Sequence, residues 1–453
     1  MENMTLGRIA DACGGTYYGK AEEKSLSVEA VTTDSRTAGK NRLFIPLKGE
    51  HADGHDFIPS AIEQGAFVLS ERLLDRSCEP YIHVESTAQA LKDLAEYYRR
   101  QTRIKVVGVV GSVGKTSTKE MIASVLSEKY RVLKTQGNFN NEIGLPLTVF
   151  QIRKEHEVAV LEMGISDFGE MHRLAKIARP DIIVMTNIGS CHLENLTDRD
   201  GVLKAKSEVF DFLKEDAVIV LNGDDDKLYT LKDVKGIRPL FFGMETPDAY
   251  AKATEVKDFG PEGVSAAMEI GEDKFRALIS LPGLHNVWNA LAGACIGKAL
   301  GLSAEQIKSG IEHARTIKGR SNFIKTGGIT VIDDCYNANP MSMKASLSVL
   351  SGMPGRKIAV LGDMGELGTK EKELHYQVGE YAAEAGIDAL FLCGELSLEI
   401  KAAAAKDPRM EIYHYTDIEE LGTAVKGYVK EGDTVLVKAS HFMGFSKIVE
   451  ALS

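Results

Sequence analysis

No stretch of the 453-residue sequence stays apolar for the roughly eighteen residues that a membrane-spanning helix requires. Residues 1–10 also lack the charged and then apolar regions of a secretory leader, so the expectation is a cytoplasmic chain with no membrane insertion. Cysteine is scarce. Cys13, Cys78, Cys191, Cys295, Cys335 and Cys393 lie far apart, without the paired spacing of a zinc site or disulfide framework, and read as reduced thiols. Net positive charge is missing too: 54 Lys and Arg against 65 Asp and Glu leave −11, which argues against the basic surface that nucleic-acid binding relies on. Recognition of phosphate, if any, must be local. There is no tandem repeat and no low-complexity linker. What is present is an ordinary globular composition, 44% hydrophobic and 26% charged, in a chain too long for one core; about two to four domains are expected.

Short apolar runs at 42–47 and 66–70, separated by Gly, Asp and His clusters, suggest a small α/β domain over residues 1–101. From Arg103 apolar strands alternate with helical patterns, as in a parallel sheet covered by helices. The expected strands are 105–110, 158–161, 182–185 and 218–221, each followed by polar or glycine-rich residues. Ligands of open α/β sheets bind outside the carboxyl ends of the strands, so those polar residues converge. Residues 243–280 read as antiparallel strands and turns, and 284–300 as an Ala- and Gly-rich helix, completing a domain over 102–316. Alternation resumes at 329–332, 357–361, 389–392 and 434–437 in a third α/β domain, 317–453.

The strand at 105–110 runs into Gly111-Ser112-Val113-Gly114-Lys115-Thr116, and a helical pattern begins with Met121, Ile122, Val125 and Leu126 on one side. This is the setting of a phosphate-binding loop, taken here from Val110 to Thr116. Glycines let backbone N–H groups approach phosphate, the helix N-terminus adds partial positive charge and Lys115 a full one. Thr116 can hold magnesium through its hydroxyl. The strict pattern would place glycine at 109, where this chain has Val109. Glu162, after the second strand, could reach a metal on Thr116, although a strand-end glutamate is also simply a solvated one. Thr186, Asn187 and His192 follow the next strand; histidine is an unusual magnesium ligand, and a loop histidine is more often solvated.

In the segment 202–213, a step of about 100° per residue puts Val202, Leu203, Val209, Phe210, Phe212 and Leu213 on one arc with Lys206 among them. Lys204, Glu208, Asp211 and Lys214 fall opposite, with Lys204 and Glu208 spaced for an ion pair. Lys206 must snorkel, find an anionic partner or lose its charge.

Further motifs are Thr-Asp-Ser-Arg at 33–36, Leu-Phe-Ile-Pro-Leu-Lys-Gly at 43–49, Asp-Gly-His-Asp-Phe at 53–57 and the asparagine-rich 135–146. Others are Leu-Pro-Gly-Leu-His-Asn-Val-Trp-Asn-Ala at 281–290, Gly-Arg at 319–320, Asp-Asp-Cys-Tyr-Asn-Ala-Asn-Pro at 333–340 and Leu-Gly-Asp-Met-Gly-Glu-Leu-Gly at 361–368. With the phosphate loop, whose shorter glycine pattern is then the family's own, they resemble the Mur ligase superfamily of bacterial cell-wall synthesis over nearly the whole chain. The resemblance implies an α/β protein of three domains: an N-terminal UDP-substrate module, a central P-loop ATPase and a C-terminal Rossmann-like domain that binds the incoming dipeptide. It implies an ATP- and magnesium-dependent ligase that joins D-alanyl-D-alanine to a UDP-N-acetylmuramoyl tripeptide through an acyl phosphate. A monomer is the simpler expectation.

On the same resemblance, ATP is bound by Val110, Gly111, Ser112, Val113, Gly114, Lys115, Thr116 and Ser117, by Asn286 and Asn289 at adenine, by Arg320 at the γ-phosphate and by Asp334 at ribose. Ser35 and Arg36 meet the uridine diphosphate, and Asn138, Asn140 and Asn141 lie beside the muramoyl group. Thr116, Glu162, His192 and a carbamylated Lys206 hold metal; Lys115, Lys206 and Arg320 serve catalysis. Lys438-Ala439-Ser440-His441 departs from the family's Lys-Gly-Ser-Arg and leaves open an arginine contact near the dipeptide. Two alternatives stay open: a sister ligase adding a single amino acid, and an ATP-driven switch, which leaves Lys206 without a role.

Overall fold

The computed structural model describes residues 1–453 and contains three sheets. The N-terminal sheet runs Thr16–Tyr18, Tyr81–His83, Phe67–Ser70, Arg42–Phe44, Ala30–Thr32, with only the first pair antiparallel. The central sheet has nine strands. Its parallel part includes Val132–Lys134, Val158–Glu162, Lys105–Val110, Ile182–Met185, Val218–Asn222 and Leu240–Gly243 in spatial order, and Ala251–Asp258 continues it. Val264–Ile270 and Asp273–Ile279 then close the edge as an antiparallel meander, as the 243–280 pattern suggested. The C-terminal sheet runs Asn322–Thr326, Ile329–Asp333, Thr434–Lys438, Lys357–Gly362, Ala389–Cys393, Glu411–Tyr415, parallel except for its first pair.

The central strands are apolar along their length because helices cover both faces. Alternate side chains go to opposite cores. Val107, Val109, Val160 and Val184 pack with Met121, Ile122 and Val125 of the helix Lys115–Ser127 and with the helix His285–Ala299. Val106, Val110, Leu161 and Ile183 pack with Leu91 and Leu94 of the helix Thr87–Gln101 and Leu174 of the helix Glu170–Ala178. Gly293 and Gly297 of the Ala- and Gly-rich helix lie against Met121 and Val125, so small residues there permit close packing.

One expected element is shorter. The α-helix Arg199–Ser207, capped by Asp198 through Gly201 N, tightens into a 3-10 turn over Glu208–Phe212. The last carbonyls of a helix lack partners, and i→i+3 bonding in its final turn satisfies some of them. The Lys204–Glu208 pair does not form either. Glu208 accepts from Gly169 N and His172 N, satisfying backbone donors at the start of the helix Glu170–Ala178, and Lys204 lies over the Phe168 ring. Exposed i,i+4 pairs contribute only a few tenths of a kcal/mol, about 0.2–0.5, whereas backbone N–H groups at a helix start need acceptors. All six cysteines are free.

Candidate active site

A cavity of about 1200 Å³ lies between the central and C-terminal lobes. The carboxyl ends of both parallel sheets open onto it, bringing the polar residues after each strand to one place.

The phosphate loop forms its central wall. Gly111 has φ +154, and a Cβ there would come within 1.9 Å of Thr186 Oγ1; Gly114 has φ +81 and begins the helix Lys115–Ser127. The next strand's loop braces this turn. Val113 N donates to Asn187 Oδ1 at 2.9 Å, Thr186 Oγ1 donates to Val113 O at 2.7 Å, and Gly189 N donates to Ser112 Oγ at 2.9 Å. Lys115 Nζ donates to Gly111 O at 2.8 Å and Ser112 O at 3.3 Å. Burial pushes its pKa below the ordinary lysine value, and Glu162 opposes the shift. Ser112 to Ser117 line the cavity, whereas Val110 and Gly111 stand behind it.

Glu162 is 1% exposed at the end of its strand. Its Oε1 accepts from Thr116 Oγ1 at 3.2 Å and Asn140 Nδ2 at 2.9 Å, while Oε2 is buried without a hydrogen bond, with Lys119 Nζ 3.8 Å away. A buried carboxylate oxygen without a donor, beside a threonine hydroxyl, is suited to a hard cation such as magnesium. No trio of His, Cys, Asp and Glu gathers here, which suits magnesium, an ion that usually keeps several ligands from substrate or water. His192, expected among the ligands, is engaged elsewhere: Nδ1 lies 2.7 Å from Glu366 Oε2 of the C-terminal lobe, close enough for an ion pair but without hydrogen-bond geometry.

Lys206 is 1% exposed and does not line the cavity. It does not snorkel. Burial brings its pKa down to about 8; the Cys191 thiol opposes this and Lys115 adds to it. No carboxylate contributes to holding its charge, so of the three outcomes open to a lysine on an apolar arc the structure shows neither of the first two, and the charge is easier to lose than on an ordinary lysine.

Arg320 lines the cavity with its guanidinium 3.9 Å over the Tyr336 ring. Asp334 also lines it, but its carboxylate is already partnered by Lys438 Nζ at 2.6 Å, Ser346 Oγ at 2.5 Å and Ser321 N at 2.9 Å. Burial alone would raise the pKa of Asp334; Lys438, together with the Ser346 hydroxyl and Ser321 N, outweighs it and holds the group below its ordinary value. Asn289 lines the cavity with its amide tied to Thr118 Oγ1 at 2.7 Å and Asn286 Oδ1 at 2.9 Å. Asn286, bonded to Pro282 O at 2.9 Å, faces a side pocket of about 20 Å³ with Ser117, Glu120 and Arg320.

Asn140 and Asn141 line the cavity; the exposed Asn138 does not. Ser35 and Arg36 sit apart from it in a surface turn, Ser35–Thr37, where Arg36 pairs with Asp34 at 2.7 Å.

Three family models match in succession: Mur ligase family, catalytic domain, over 27–99; Mur ligase middle domain over 109–297; and Mur ligase, glutamate ligase domain, over 319–441. A UDP-N-acetylmuramoyl-tripeptide--D-alanyl-D-alanine ligase of Bacillus subtilis (strain 168) is 38% identical, over 100% of this chain and 99% of its own. The chain belongs to the Mur ligase family. Among solved Mur ligases, a MurF of Acinetobacter baumannii matches with TM-score 0.90 at 32% identity, over 99% of this chain and 98% of that one. MurF ligase of Thermotoga maritima in complex with ADP matches with TM-score 0.83 at 31% identity, over 94% and 97%.

Within this Mur ligase the reading from sequence missed Lys119, Asp224 and Glu366. Lys119 is 1% exposed and donates to Thr135 O at 2.7 Å beneath Glu162. It could have been found as Lys206 was, by a charge facing inward on an amphipathic helix. Asp224 anchors the cavity-lining Trp288 through Nε1 at 2.8 Å, a pairing across 64 positions with no local signal. Glu366 stands in the quoted 361–368 motif, but only the lobe arrangement brings it to His192.

Proposed function

We propose that this Mur ligase joins D-alanyl-D-alanine to UDP-N-acetylmuramoyl tripeptide in the cytoplasm, as a monomer, converting ATP to ADP and phosphate. The observation that carries the reading is the phosphate loop set beside Glu162 on a cavity shared with a second α/β lobe. In the proposed division, residues 1–101 bind the UDP end with Ser35 and Arg36, 102–316 bind ATP, and 317–453 bind the dipeptide.

A carboxylate is a poor electrophile, so the tripeptide's terminal carboxylate attacks the γ-phosphate and becomes an acyl phosphate. Two anions must meet. Lys115, the N–H groups of 112–116 and the start of the helix Lys115–Ser127 offset their repulsion. Arg320, on the opposite lobe, adds charge as the lobes approach. Thr116, Glu162 and, once Glu366 releases it, His192 would hold magnesium, which would supply neutralisation of phosphate charge. Lys206, neutral often enough near pH 8 to react with carbon dioxide, serves as a carbamate, which turns a buried cation into an anion able to hold metal. Asn286 and Asn289 meet adenine, Asp334 lies toward the ribose, and Asn138, Asn140 and Asn141 flank the muramoyl group. The amine of the dipeptide then attacks the acyl carbon and phosphate leaves. Water must be excluded meanwhile, which a cavity closed by two lobes achieves.

The test is phosphate release with ATP, magnesium and UDP-muramoyl tripeptide, with and without D-alanyl-D-alanine, read with mass spectrometry of the product. Pentapeptide formed only with the dipeptide supports the reading. Phosphate release without the dipeptide, or product only with a single amino acid, refutes it.

A further inference from the structure

The ligase reaction needs an anionic seat for a small amine, and the carboxylates around the cavity differ in what they have left to offer. Glu162 is committed to Thr116 and Asn140. Glu170 accepts from Ser166 N and Asp167 N, Asp225 from Ile188 N and Leu228 N, and Asp258 from Gly260 N. Asp224 holds Met244 N and Trp288 Nε1, and Asp334 holds Lys438. Each is part of the wall. Glu366 alone has no backbone donor; its one partner is the His192 ring, 2.7 Å away across the lobe boundary, and its side chain is 57% exposed.

The loop carrying Glu366 is held firmly. Met364 N donates to His375 Nε2 at 2.8 Å, Gly365 N to Ser440 Oγ at 2.9 Å, and Leu193 N of the central lobe to Glu366 O at 3.1 Å. Glu366 itself sits at φ +61, a left-handed conformation that costs a non-glycine residue of order 1–3 kcal/mol and is found where a side chain must be aimed. Beside it, Phe442 lines the cavity yet is 69% exposed, with its ring so close to Gly365 that a Cβ there would lie 2.9 Å from it. A carboxylate next to an open aromatic face matches an ammonium next to a methyl group. The position is right for the chemistry as well: Glu366 and Phe442 line the same cavity as Lys115 and the phosphate loop.

We propose that Glu366 seats the ammonium of the incoming dipeptide and that Phe442 walls its first methyl group. The proposal rests on the ligase reading above and deepens it. Glu366 is a binding and positioning residue here, open to the dipeptide once it has released His192.

The experiment compares wild type and Glu366→Gln in pentapeptide formation, with N-propionyl-D-alanine, the deaminated dipeptide, as a competitive inhibitor. The expected result is a KM for D-alanyl-D-alanine raised about 10- to 100-fold, the range of a lost hydrogen bond to a charged group. The KM values for ATP and the UDP-tripeptide and the inhibition constant of N-propionyl-D-alanine stay within about twofold, the scatter of non-interacting sites. Phe442→Ala, by contrast, weakens dipeptide and deaminated analogue alike. An unchanged dipeptide KM in Glu366→Gln overturns the proposal, as does equal weakening of dipeptide and analogue, or a raised magnesium requirement as the main effect. If wild type itself makes no pentapeptide, the ligase reading falls and this proposal with it; an active wild type with an indifferent Glu366→Gln refutes the seat alone.

Discussion

At the scale of single residues, the phosphate loop has no tolerance at Gly111. Any Cβ meets Thr186 Oγ1 at 1.9 Å, and φ +154 disfavours every other residue. Gly111→Ala is expected to cost about 1–3 kcal/mol of local strain, met by shifting the loop off the 186–189 brace. Isothermal titration with a non-hydrolysable ATP analogue should show affinity at least about tenfold weaker, since each ~1.4 kcal/mol is tenfold; wild-type affinity refutes the loop assignment. Lys206 poses the opposite case, a residue costly to the fold. A buried ammonium whose pKa falls to about 8 is disfavoured in the folded state at every pH below that value, and the penalty fades as pH rises toward the ordinary 10.5. Lys206→Met, keeping the volume and dropping the charge, is expected to unfold a few degrees higher than wild type at pH 7 in bicarbonate-free buffer, by calorimetry, and to lose most turnover. Lys206→Ala should regain part of that turnover with short carboxylic acids. A lower melting temperature for Lys206→Met, or wild-type turnover in either variant, contradicts this account. Lys206 was legible in sequence because its conflict is local: one charge inside an apolar helical arc. Glu366 was not, because its significance comes from His192, 174 positions away, across a lobe boundary.

At the scale of elements, the 362–368 loop depends on a histidine in a neighbouring helix. His375, fully buried in the helix Glu371–Glu384, places Nδ1 2.7 Å from Glu371 O and accepts from Met364 N at Nε2, so both ring nitrogens are used in the neutral form. Burial lowers its pKa below 6.5, although Asp363, Glu371 and Glu399 oppose the shift. The unfolded chain therefore takes up this proton at higher pH than the folded one. Its stabilisation is complete above pH 6.5 and is lost as pH falls from there through the folded value. His285, between lobes near Asp334 and Lys438, shifts the same way and adds to the same limb. His375→Gln is expected to be less stable than wild type at pH 7.5 and to lose less on going to pH 5.5, measured as denaturation midpoints; parallel curves refute the role. The parallel strands were legible because burial on both faces makes them short apolar runs followed by polar residues. The helix end at Ser207 was not, since the choice between α and 3-10 turns depends on carbonyl partners that periodicity does not reveal.

At the scale of the whole molecule, the two lobe boundaries are built differently. The N-terminal lobe is wired to the central one by buried groups: Arg99 Nε donates to Ala178 O at 2.9 Å, Tyr98 Oη to Ile152 O at 2.6 Å, and Glu96 pairs with Arg179 at 3.1 Å. Lys92 and Arg173 meet on Glu142 nearby. The C-terminal lobe faces the central lobe across the 1200 Å³ cavity, touching it beside a small apolar contact of Leu193 and Leu367 through groups such as the half-exposed His192 and the exposed Glu366, with no buried charged side chain spanning the boundary like Arg99. Its connection passes through Gly319 at φ +75 and Ser321 at φ +45, backbone states that suit a pivot. Breaking buried hydrogen bonds to charged groups costs more than breaking exposed ones, so closure over substrates should move the C-terminal lobe and leave the N-terminal boundary fixed. The native cysteines are all buried or half-buried, which leaves exposed positions free for spin labels. With labels at Glu22, Glu215 and Glu384, one on each lobe, an ATP analogue together with UDP-muramoyl tripeptide should shorten the 215–384 distance and leave 22–215 unchanged. Movement of the 22–215 pair instead would assign the hinge to the boundary that Arg99 holds; no change in either would mean that the cavity binds its substrates as it stands.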